Sequence, residues 1–409
     1  MGNGAKTSTK LKVDVPARVP YTFADREPWL ELDFPVAEFE RRVAAAQGIL
    51  EQEELDALLV YGDQFLKSSV RYLSGFVGLL GQSWVIVGRD SEPALVTNAV
   101  LHGEPMHSNI QTTWLRDVRP LPHPTSTGTR LTLVDFALEA LAEVGDGGRI
   151  GVSDLNIPAP VFLDLKEKLG ERLTPASHVL KRLRRTKSDA EIAKIRELAA
   201  IATVTMEAAI AATAPGVTEN DIAAAAYEAA FSAGAEAMSV FFAVAGRRSF
   251  MKNIPPRPGK MVQSDDLVEF DMNLHLAGYV ADHARNTVAG RASGDVKAIL
   301  DLSLEAHQAG LEATKPGATV NEIMKAMSDV IAAGGWAEWD WSTGHGFGLD
   351  LAEDPMFVPQ NEEPLEPGMC FYLEPMIVPS EIGTACPEDM ILVTETGCEQ
   401  LTTTPLRTW

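Results

Sequence analysis

The sequence predicts an α/β (α+β) protein with two domains. Its 409 residues exceed what one ordinary hydrophobic core organises, and a hydrophobic content of 45% is enough for two packed domains. Strand-like and helical patterns alternate in the first half, whereas the second half contains longer helical segments and a repeated helix-start motif. We therefore expect an N-terminal arm over residues 1–35, an α/β domain over residues 36–180 and a second domain over residues 181–409.

The elements of the first domain follow from the spacing of apolar residues. Helical spacing over residues 36–52 places Phe39, Val43 and Leu50 on one side of a helix. Short apolar runs bounded by turn residues predict strands. In chain order, strands are expected at 57–61, 83–88, 93–97 and 149–152, and further helices at 131–144 and 160–169.

The boundary between the two domains falls near a basic segment at residues 180–187, which we interpret as a solvated connector in an otherwise acidic chain. Ser188 and Glu191 have the spacing of a capping box, which predicts the start of a long alanine-rich helix ending near residue 213. The motif at residues 215–222 recurs 101 positions later (316 − 215) at residues 316–323. Each copy places Thr three residues before an acid, after a Pro-Gly pair that ends the previous helix, so a repeated helical unit is expected.

The net charge of −22 argues against nucleic acid or an anionic membrane surface as a partner, because both would be repelled. Three cysteines form no evident disulfide framework and indicate a reducing compartment, so the expected location is the cytoplasm. No apolar run reaches the length of a membrane span, and the N-terminal residues do not have the pattern of a signal peptide.

Five residues have the composition of a metal centre. They are Asp271, Asp282, His345, Glu374 and Glu388. The two aspartates flank the turn of a predicted hairpin, and His345 stands among glycines. Glu374 lies on an apolar strand predicted over residues 369–378, and Glu388 precedes a strand predicted over residues 390–394. Four acids and a neutral imidazole in one pocket would repel one another unless cations lay between them, and two divalent ions would balance the charge.

The sequences around these residues resemble the pita-bread family of methionine aminopeptidase, aminopeptidase P, prolidase and creatinase. The quoted segments are Glu269-Phe-Asp-Met-Asn, Gly344-His-Gly-Phe-Gly, Leu373-Glu-Pro and Glu388-Asp-Met. The resemblance is close from about residue 179 onward, and looser before it, where the segment from Ser69 resembles the creatinase and prolidase branch. It implies a creatinase/prolidase-like N-terminal domain, a pita-bread catalytic domain with a pseudo-two-fold internal repeat, and a homodimer.

The resemblance also implies roles for the five residues. Asp271 would chelate one metal ion, Asp282 and Glu388 would bridge both ions, and His345 and Glu374 would hold the other. This mostly oxygen ligand set suits Mn²⁺, Fe²⁺ or Co²⁺, with Zn²⁺ possible. Glu374 and His345 are the candidate catalytic residues, with Glu374 expected to carry a proton during hydrolysis.

Three positions depart from the peptidase pattern. No histidine occurs in residues 252–257, Ala352 occupies the position of a second family histidine, and Cys386 occupies that of an arginine. These losses around an intact set of metal ligands indicate altered chemistry or a divergent substrate rather than an inactive site. Arg247, Arg248 and Trp341 are candidate substrate contacts; surface exposure of the arginines and core packing of the tryptophan are the alternatives.

The expected function is hydrolysis of an amide-type C–N bond in a small carboxylate-bearing molecule or short peptide by a dinuclear metal centre. One alternative is a metal-dependent lyase resembling dimethylsulfoniopropionate lyase, for which Asp350 or Asp354 would be the base. Another is a small-metabolite hydrolase resembling creatinase or ectoine hydrolase. A non-enzymatic binding module is a third alternative, disfavoured by the complete ligand set.

Overall fold

The structure is a computed structural model that describes residues 23–78, 81–97, 100–101, 104–105, 110–120, 132–144, 148–153, 156–336 and 344–409. The chain divides into two compact units, Met1–Ala176 and Ser177–Trp409. No helix in the described part of the chain is both long and apolar enough to cross a membrane.

The first unit is built around a mixed six-stranded sheet in the order β6-β3-β2-β1-β7-β8. Its strands are β1 (Ala57–Asp63), β2 (Gln82–Gly88), β3 (Ala94–Thr97), β6 (Asp117–Pro120), β7 (Ile150–Ser153) and β8 (Leu173–Pro175), with a separate pair formed by β4 (Val100–Leu101) and β5 (Glu104–Pro105). Its helices are α1 (Phe23–Arg26), α2 (Val36–Gln52), α3 (Ser68–Ser74), α4 (Leu133–Val144) and α5 (Ala159–Leu169). Tyr61, Trp84 and Leu141 are among the apolar residues buried between the sheet and helices α4 and α5.

The described part of the N-terminal arm is tied to this unit. The buried guanidinium of Arg26 donates a hydrogen bond of 3.1 Å to the carbonyl of Thr113, and Arg71 forms an ion pair of 2.8 Å with Asp33. Residues 1–22 lie outside the described residues. The predicted helix over residues 36–52 and the predicted strands are confirmed, whereas α3, β6 and β8 were not predicted.

The second unit contains a three-stranded sheet, β11-β10-β9, and a four-stranded sheet, β12-β13-β14-β15. The strands are β9 (Ala237–Ala245), β10 (Leu267–Leu276), β11 (Tyr279–Val288), β12 (Gly344–Gly346), β13 (Cys370–Leu373), β14 (Asp389–Val393) and β15 (Cys398–Gln400). The helices are α6 (Ser177–Arg185), α7 (Asp189–Ala211), α8 (Glu219–Ser232), α9 (Gly294–Ala313) and α10 (Val320–Ala333). A single β-bridge between Ala284 and Glu388 joins β11 to the start of β14, so the two sheets meet at this point.

The predicted capping boxes are present at three helix starts. Ser188 and Glu191 exchange the two hydrogen bonds of the box at the start of α7. Thr218 does so with Asp221 at α8, and the repeated motif does so at α10. The glycine of each repeat has a positive φ of 92° or 83°, a conformation that glycine adopts with little strain. The repeated sequence therefore encodes repeated local structure, which gives the unit the two helical pairs of a pita-bread domain.

Candidate metal centre

A β-hairpin brings Asp271 and Asp282 to the same face of a sheet. In the antiparallel register of β10 and β11, Asp271 lies opposite Ala284 and Asp282 lies opposite Asn273. The two aspartates are therefore diagonal neighbours, since residues two apart on a strand share a face. Each is only 8% exposed, so the hairpin holds two carboxylates close together in a nearly dry environment.

His345 reaches the same region from β12, where it pairs with Tyr372 of β13. The imidazole ring packs edge-on against the Tyr372 ring with a centroid separation of 4.9 Å, and that ring stacks on Phe347 at 4.3 Å. The Tyr372 hydroxyl donates a hydrogen bond of 2.8 Å to the carbonyl of Val280 on β11. Gly344 has a φ of 142°, and a Cβ there would lie 2.0 Å from the Tyr372 carbonyl oxygen. Glycine at this position is therefore required for β12 to approach β13.

Two glutamates adjoin the central strands of the second sheet. Glu374 follows β13 directly, and Glu388 precedes β14 and donates its backbone N–H to the carbonyl of Ala284 at 3.0 Å. Their exposures are 8% and 1%. The sequence predicted a strand running through Glu374, but β13 ends at Leu373, and Pro375 follows the glutamate. Because proline cannot donate a ladder hydrogen bond, it is unsuited to a central strand at this point.

Ligand atoms of Asp282, His345 and Glu388 all lie within 4.8 Å of one another. Both carboxylate oxygens of Glu388 and one of Asp282 are buried and lack a hydrogen-bond partner among the described residues. A cavity of about 490 Å³ opens onto Asp271, Asp282, His345 and Glu374. Buried carboxylate oxygens without donors are costly unless a cation is present. The donor set therefore fits a divalent metal ion, and mixed oxygen and imidazole ligation suits several transition metals.

The electrostatics of the protein atoms alone indicate how strongly the cluster resists full ionisation. Burial, followed by the neighbouring Asp271 and Glu374, raises the pKa of Asp282 well above its usual range. Burial, followed by Asp282 and Glu374, does the same for the pKa of Glu388. Since like charges in a dry site cannot all ionise, a cation between them would restore the carboxylates.

A second layer of buried polar groups supports Glu388 from behind. Asp389 accepts hydrogen bonds from Arg285 at 2.6 Å and from the Thr402 hydroxyl at 2.6 Å. The side chain of His283 bonds the backbone carbonyl of Glu388 at 2.7 Å, and burial, aided by the Arg285 charge, lowers the pKa of His283 to about 3. His283 thus bonds the backbone carbonyl of Glu388, and the neighbouring Asp389 side chain is held by Arg285 and Thr402.

Two polar residues of the cavity were missed by the sequence reasoning. Lys252 and Asn253 line it, in the segment where the absence of a family histidine was noted. The Lys252 ammonium lies 3.3 Å from Oδ2 of Asp271 and 3.6 Å from Oε2 of Glu374. Although burial opposes its charge, the neighbouring acidic groups raise the pKa of Lys252 well above the ordinary value. The only available signal was an isolated lysine before Asn-Ile-Pro-Pro, which is indistinguishable in sequence from a surface lysine.

The remaining wall of the cavity is mainly apolar. It comprises Phe250, Met251, Leu351, Ala352, Met356, Phe357, Val358, Met376 and Val378. Apolar lining residues beside a cluster of charged residues are typical of a site that binds a small molecule with one apolar part and one polar reacting part.

Two of the three candidate substrate contacts are not among the described residues that line the cavity, and the third lies outside the described residues. Arg247 donates a hydrogen bond of 2.7 Å to the Ser380 carbonyl, and Arg248 forms an ion pair of 2.5 Å with the buried Glu219. Neither is among the described residues lining the cavity, and Trp341 lies outside the described residues. Their role in substrate binding stays a prediction.

The candidate bases of the lyase alternative also have positions away from the cavity lining. Asp350 accepts a hydrogen bond of 2.7 Å from Arg184, which also pairs with Glu353. Asp354 precedes a cis-proline, and neither aspartate is among the described cavity residues.

The fold and the site together define a metallohydrolase of the prolidase and aminopeptidase P type. The model of metallopeptidase family M24 matches residues 193–395, and the model of the creatinase/prolidase N-terminal domain matches residues 42–186. The chain therefore belongs to metallopeptidase family M24, in its prolidase-like branch.

Individual relatives agree with this assignment. The probable dipeptidase PepE of Mycobacterium bovis is 33% identical over 256 residues, which are 61% of this chain and 67% of that protein. The Xaa-Pro dipeptidase of Pyrococcus horikoshii is 27% identical over 358 residues, covering 87% of this chain and 95% of that protein. The crystal structure of dipeptidase PepE from Mycobacterium ulcerans superposes with a TM-score of 0.78 at 27% identity, covering 91% of this chain and 98% of that one. The chain spans about two thirds of the length of the curated relatives it matches at 33% identity.

Proposed function

We propose that this protein hydrolyses the amide C–N bond of a dipeptide-sized, carboxylate-bearing substrate, using divalent metal ions held by Asp271, Asp282, His345, Glu374 and Glu388. The observation that carries the proposal is the grouping of three residues. Buried carboxylate oxygens of Asp282 and Glu388, which lack donors among the described residues, lie close to the imidazole of His345, and Asp282 and His345 line the cavity. Two ions would neutralise the four carboxylates. Mn²⁺, Fe²⁺ or Co²⁺ suits this ligand set, and Zn²⁺ is compatible with it.

Bound divalent ions supply electrophilic polarisation of the scissile carbonyl and a lowered pKa for water. The residues of the chain supply orientation and proton transfer. Glu374 lines the cavity, with Oε1 3.9 Å from Nε2 of His345, and in this proposal its carboxylate takes a proton from the attacking water. The water oxygen forms the new C–O bond, the C–N bond breaks, and the same proton is delivered to the leaving amine nitrogen.

The cavity supports a small substrate with an apolar side chain. Its volume of about 490 Å³ is within the range of small-molecule sites. Met251, Met356 and Met376 line the wall, and methionine side chains adapt to differently shaped apolar groups. The names of the relatives, a dipeptidase and an Xaa-Pro dipeptidase, agree with a dipeptide-sized ligand.

Two further expectations belong to this proposal. A cytoplasmic location is supported by three unpaired cysteines, Cys370, Cys386 and Cys398, because disulfides are rare in reducing compartments. A homodimer is proposed from the resemblance to prolidase and creatinase.

The alternatives have less support. A lyase would need a protein base in the cavity, but Asp350 is engaged by Arg184 and the relatives reported above are named as peptidases. A creatinase-like or ectoine-hydrolase-like reaction would also break a C–N bond, and only the choice of substrate separates it from the main proposal.

The test is an assay of the full chain, loaded with Mn²⁺, against dipeptides with and without C-terminal proline and against cyclic amidines and sulfonium acids. Assays in ¹⁸O-labelled water identify the reaction type. Hydrolysis places one labelled oxygen in the new carboxylate, whereas elimination yields an alkene and no label. Label-free alkene formation, or no dipeptide turnover at any metal concentration, would contradict the proposal.

A further inference from the structure

A lysine lies inside the acidic cluster. Nζ of Lys252 is within ion-pair distance of both Asp271 and Glu374, at 3.3 and 3.6 Å, and the side chain is 12% exposed. The ammonium also donates toward Sγ of Cys386 at 3.6 Å. Lys252 and His345 are the basic residues among the described cavity lining, and a lysine ammonium is a cation at neutral pH.

The backbone holds Lys252 in this position. It follows the 3₁₀ turn Gly246–Met251, and its N–H donates a hydrogen bond of 3.0 Å to the Ser249 carbonyl. Lys252 and Asn253 have φ angles of 20° and 60°, a conformation that is strained for non-glycine residues. The turn is anchored by Thr384, whose N–H and hydroxyl bond the Ser249 hydroxyl and carbonyl at 3.0 and 2.6 Å. The surrounding structure thus maintains a strained turn that directs the lysine into the cavity.

Another buried acid adds to the negative charge around the lysine. Glu269 is fully buried on β10, two positions before Asp271, and both of its carboxylate oxygens lack a hydrogen-bond partner among the described residues. A cation near these carboxylates offsets part of their mutual repulsion. Lys252 supplies that charge from the protein itself.

We propose that Lys252 is an internal counter-ion that competes with a divalent metal for Asp271 and Glu374, and thereby limits how much metal the centre holds. This inference rests on the metal centre proposed above. Asp282, His345 and Glu388 form a group without Lys252, and a first ion binds there. An ion at the Asp271 side binds only after the ammonium has moved away from both carboxylates.

The experiment measures metal content and affinity rather than activity. Metal-free wild-type protein and Lys252→Met are titrated with Mn²⁺ by calorimetry, and bound metal is counted by mass spectrometry after desalting. Lys252→Met removes the charge and keeps an unbranched apolar stem. We expect the variant to retain more Mn²⁺ per chain than the wild type. The dissociation constant of its weaker site should be lower by about tenfold or more.

Two controls separate this role from a general charge effect and from misfolding. Lys260→Met removes the same charge from the same segment, at a residue that is not among the described cavity lining, and is expected to load metal as the wild type does. Lys252→Arg retains the charge and is expected to show wild-type metal loading. Thermal unfolding of each metal-free variant establishes that it is folded, and Lys252→Gln replaces Lys252→Met if the latter is not.

The outcomes are distinguishable. Equal stoichiometry and affinity in wild type and Lys252→Met, or an equal increase in Lys260→Met, would overturn the role of Lys252 while leaving the metal centre intact. Failure of every protein to bind Mn²⁺ would overturn the metal centre, and the role of Lys252 with it.

Discussion

Arg285 donates a hydrogen bond of 2.6 Å from Nη2 to Oδ1 of Asp389, and neither side chain is more than 1% exposed. Burial opposes ionisation of Asp389, yet the Arg285 charge and His307 hold the pKa of its carboxyl well below the ordinary value. The pair lies directly behind Glu388, so the loss of either partner would leave an uncompensated buried charge beside the site.

Asp389→Asn is expected to lower the free energy of unfolding by about 3–5 kcal/mol, because it leaves a buried guanidinium without a charged partner. Urea unfolding followed by circular dichroism measures the change. The matched control is Arg196→Met, which removes an ion pair of 2.5 Å whose side chains are 50% and 40% exposed and should cost about 0–1 kcal/mol. Similar losses in the two variants would contradict the prediction.

Asp135, at the start of α4 in the first unit, is expected to make a pH-dependent contribution to the free energy of unfolding. A hydrogen bond from Lys168, followed by one from the Thr132 backbone, lowers the pKa of Asp135 to about 2. Since the unfolded pKa is about 3.9, the stabilisation is complete above about pH 4 and is lost as the pH falls through about 2. Asp135→Asn should therefore be less stable than the wild type at pH 7, with a difference that shrinks below about pH 4 in urea titrations. A difference that grows in acid would contradict this assignment.

Glu374→Ala is expected to reduce kcat by about a hundredfold or more, because it removes the carboxylate assigned to proton transfer. Steady-state dipeptide hydrolysis measures the loss. Glu381→Ala removes a carboxylate from the exposed loop that follows, where Glu381 accepts a bond from Ser380, and should retain wild-type turnover. Full activity of Glu374→Ala would exclude the proposed mechanism.

Divalent metal is expected to raise the melting temperature of the protein. An ion that binds only the folded state adds about 2.7 kcal/mol at a concentration 100 times its dissociation constant. Differential scanning calorimetry with Mn²⁺, and then with excess chelator, measures the effect and its reversal. In Asp282→Asn the shift should be much smaller, and an identical shift in that variant would place metal binding elsewhere.

Asp350→Asn distinguishes the hydrolase from the lyase alternative. Asp350 is bonded to Arg184 and is about half exposed, and Arg184 keeps its second partner, Glu353, in the variant. Dipeptide turnover is therefore expected to stay within about twofold of wild type, since Asp350 is not among the described residues that line the cavity. A loss of turnover of several hundredfold would reopen the assignment of a base to this residue.

The sequence predicted local structure correctly where residues close together in the chain determine it. The repeated Thr-x-x-acid motif predicted the starts of α8 and α10 because a capping box satisfies its hydrogen bonds within four residues. The hairpin carrying Asp271 and Asp282 was likewise predicted from strand alternation. In contrast, α3 and the early end of β13 were missed, since short elements depend on packing against the rest of the sheet.

The sequence alone determined the two-part organisation and the capped helices, because periodicity and residue type carry that information within short segments. Its resemblance to a known family predicted the five candidate ligands. Only the tertiary structure decided that Lys252 enters the acidic cluster and that Arg248 pairs with Glu219 instead of lining the cavity. Those outcomes depend on contacts between distant segments, such as the anchoring of the Lys252 turn by Thr384. The local sequence around a loop lysine does not show whether its side chain faces solvent or a metal site. Packing between distant segments decides which of the two positions it takes.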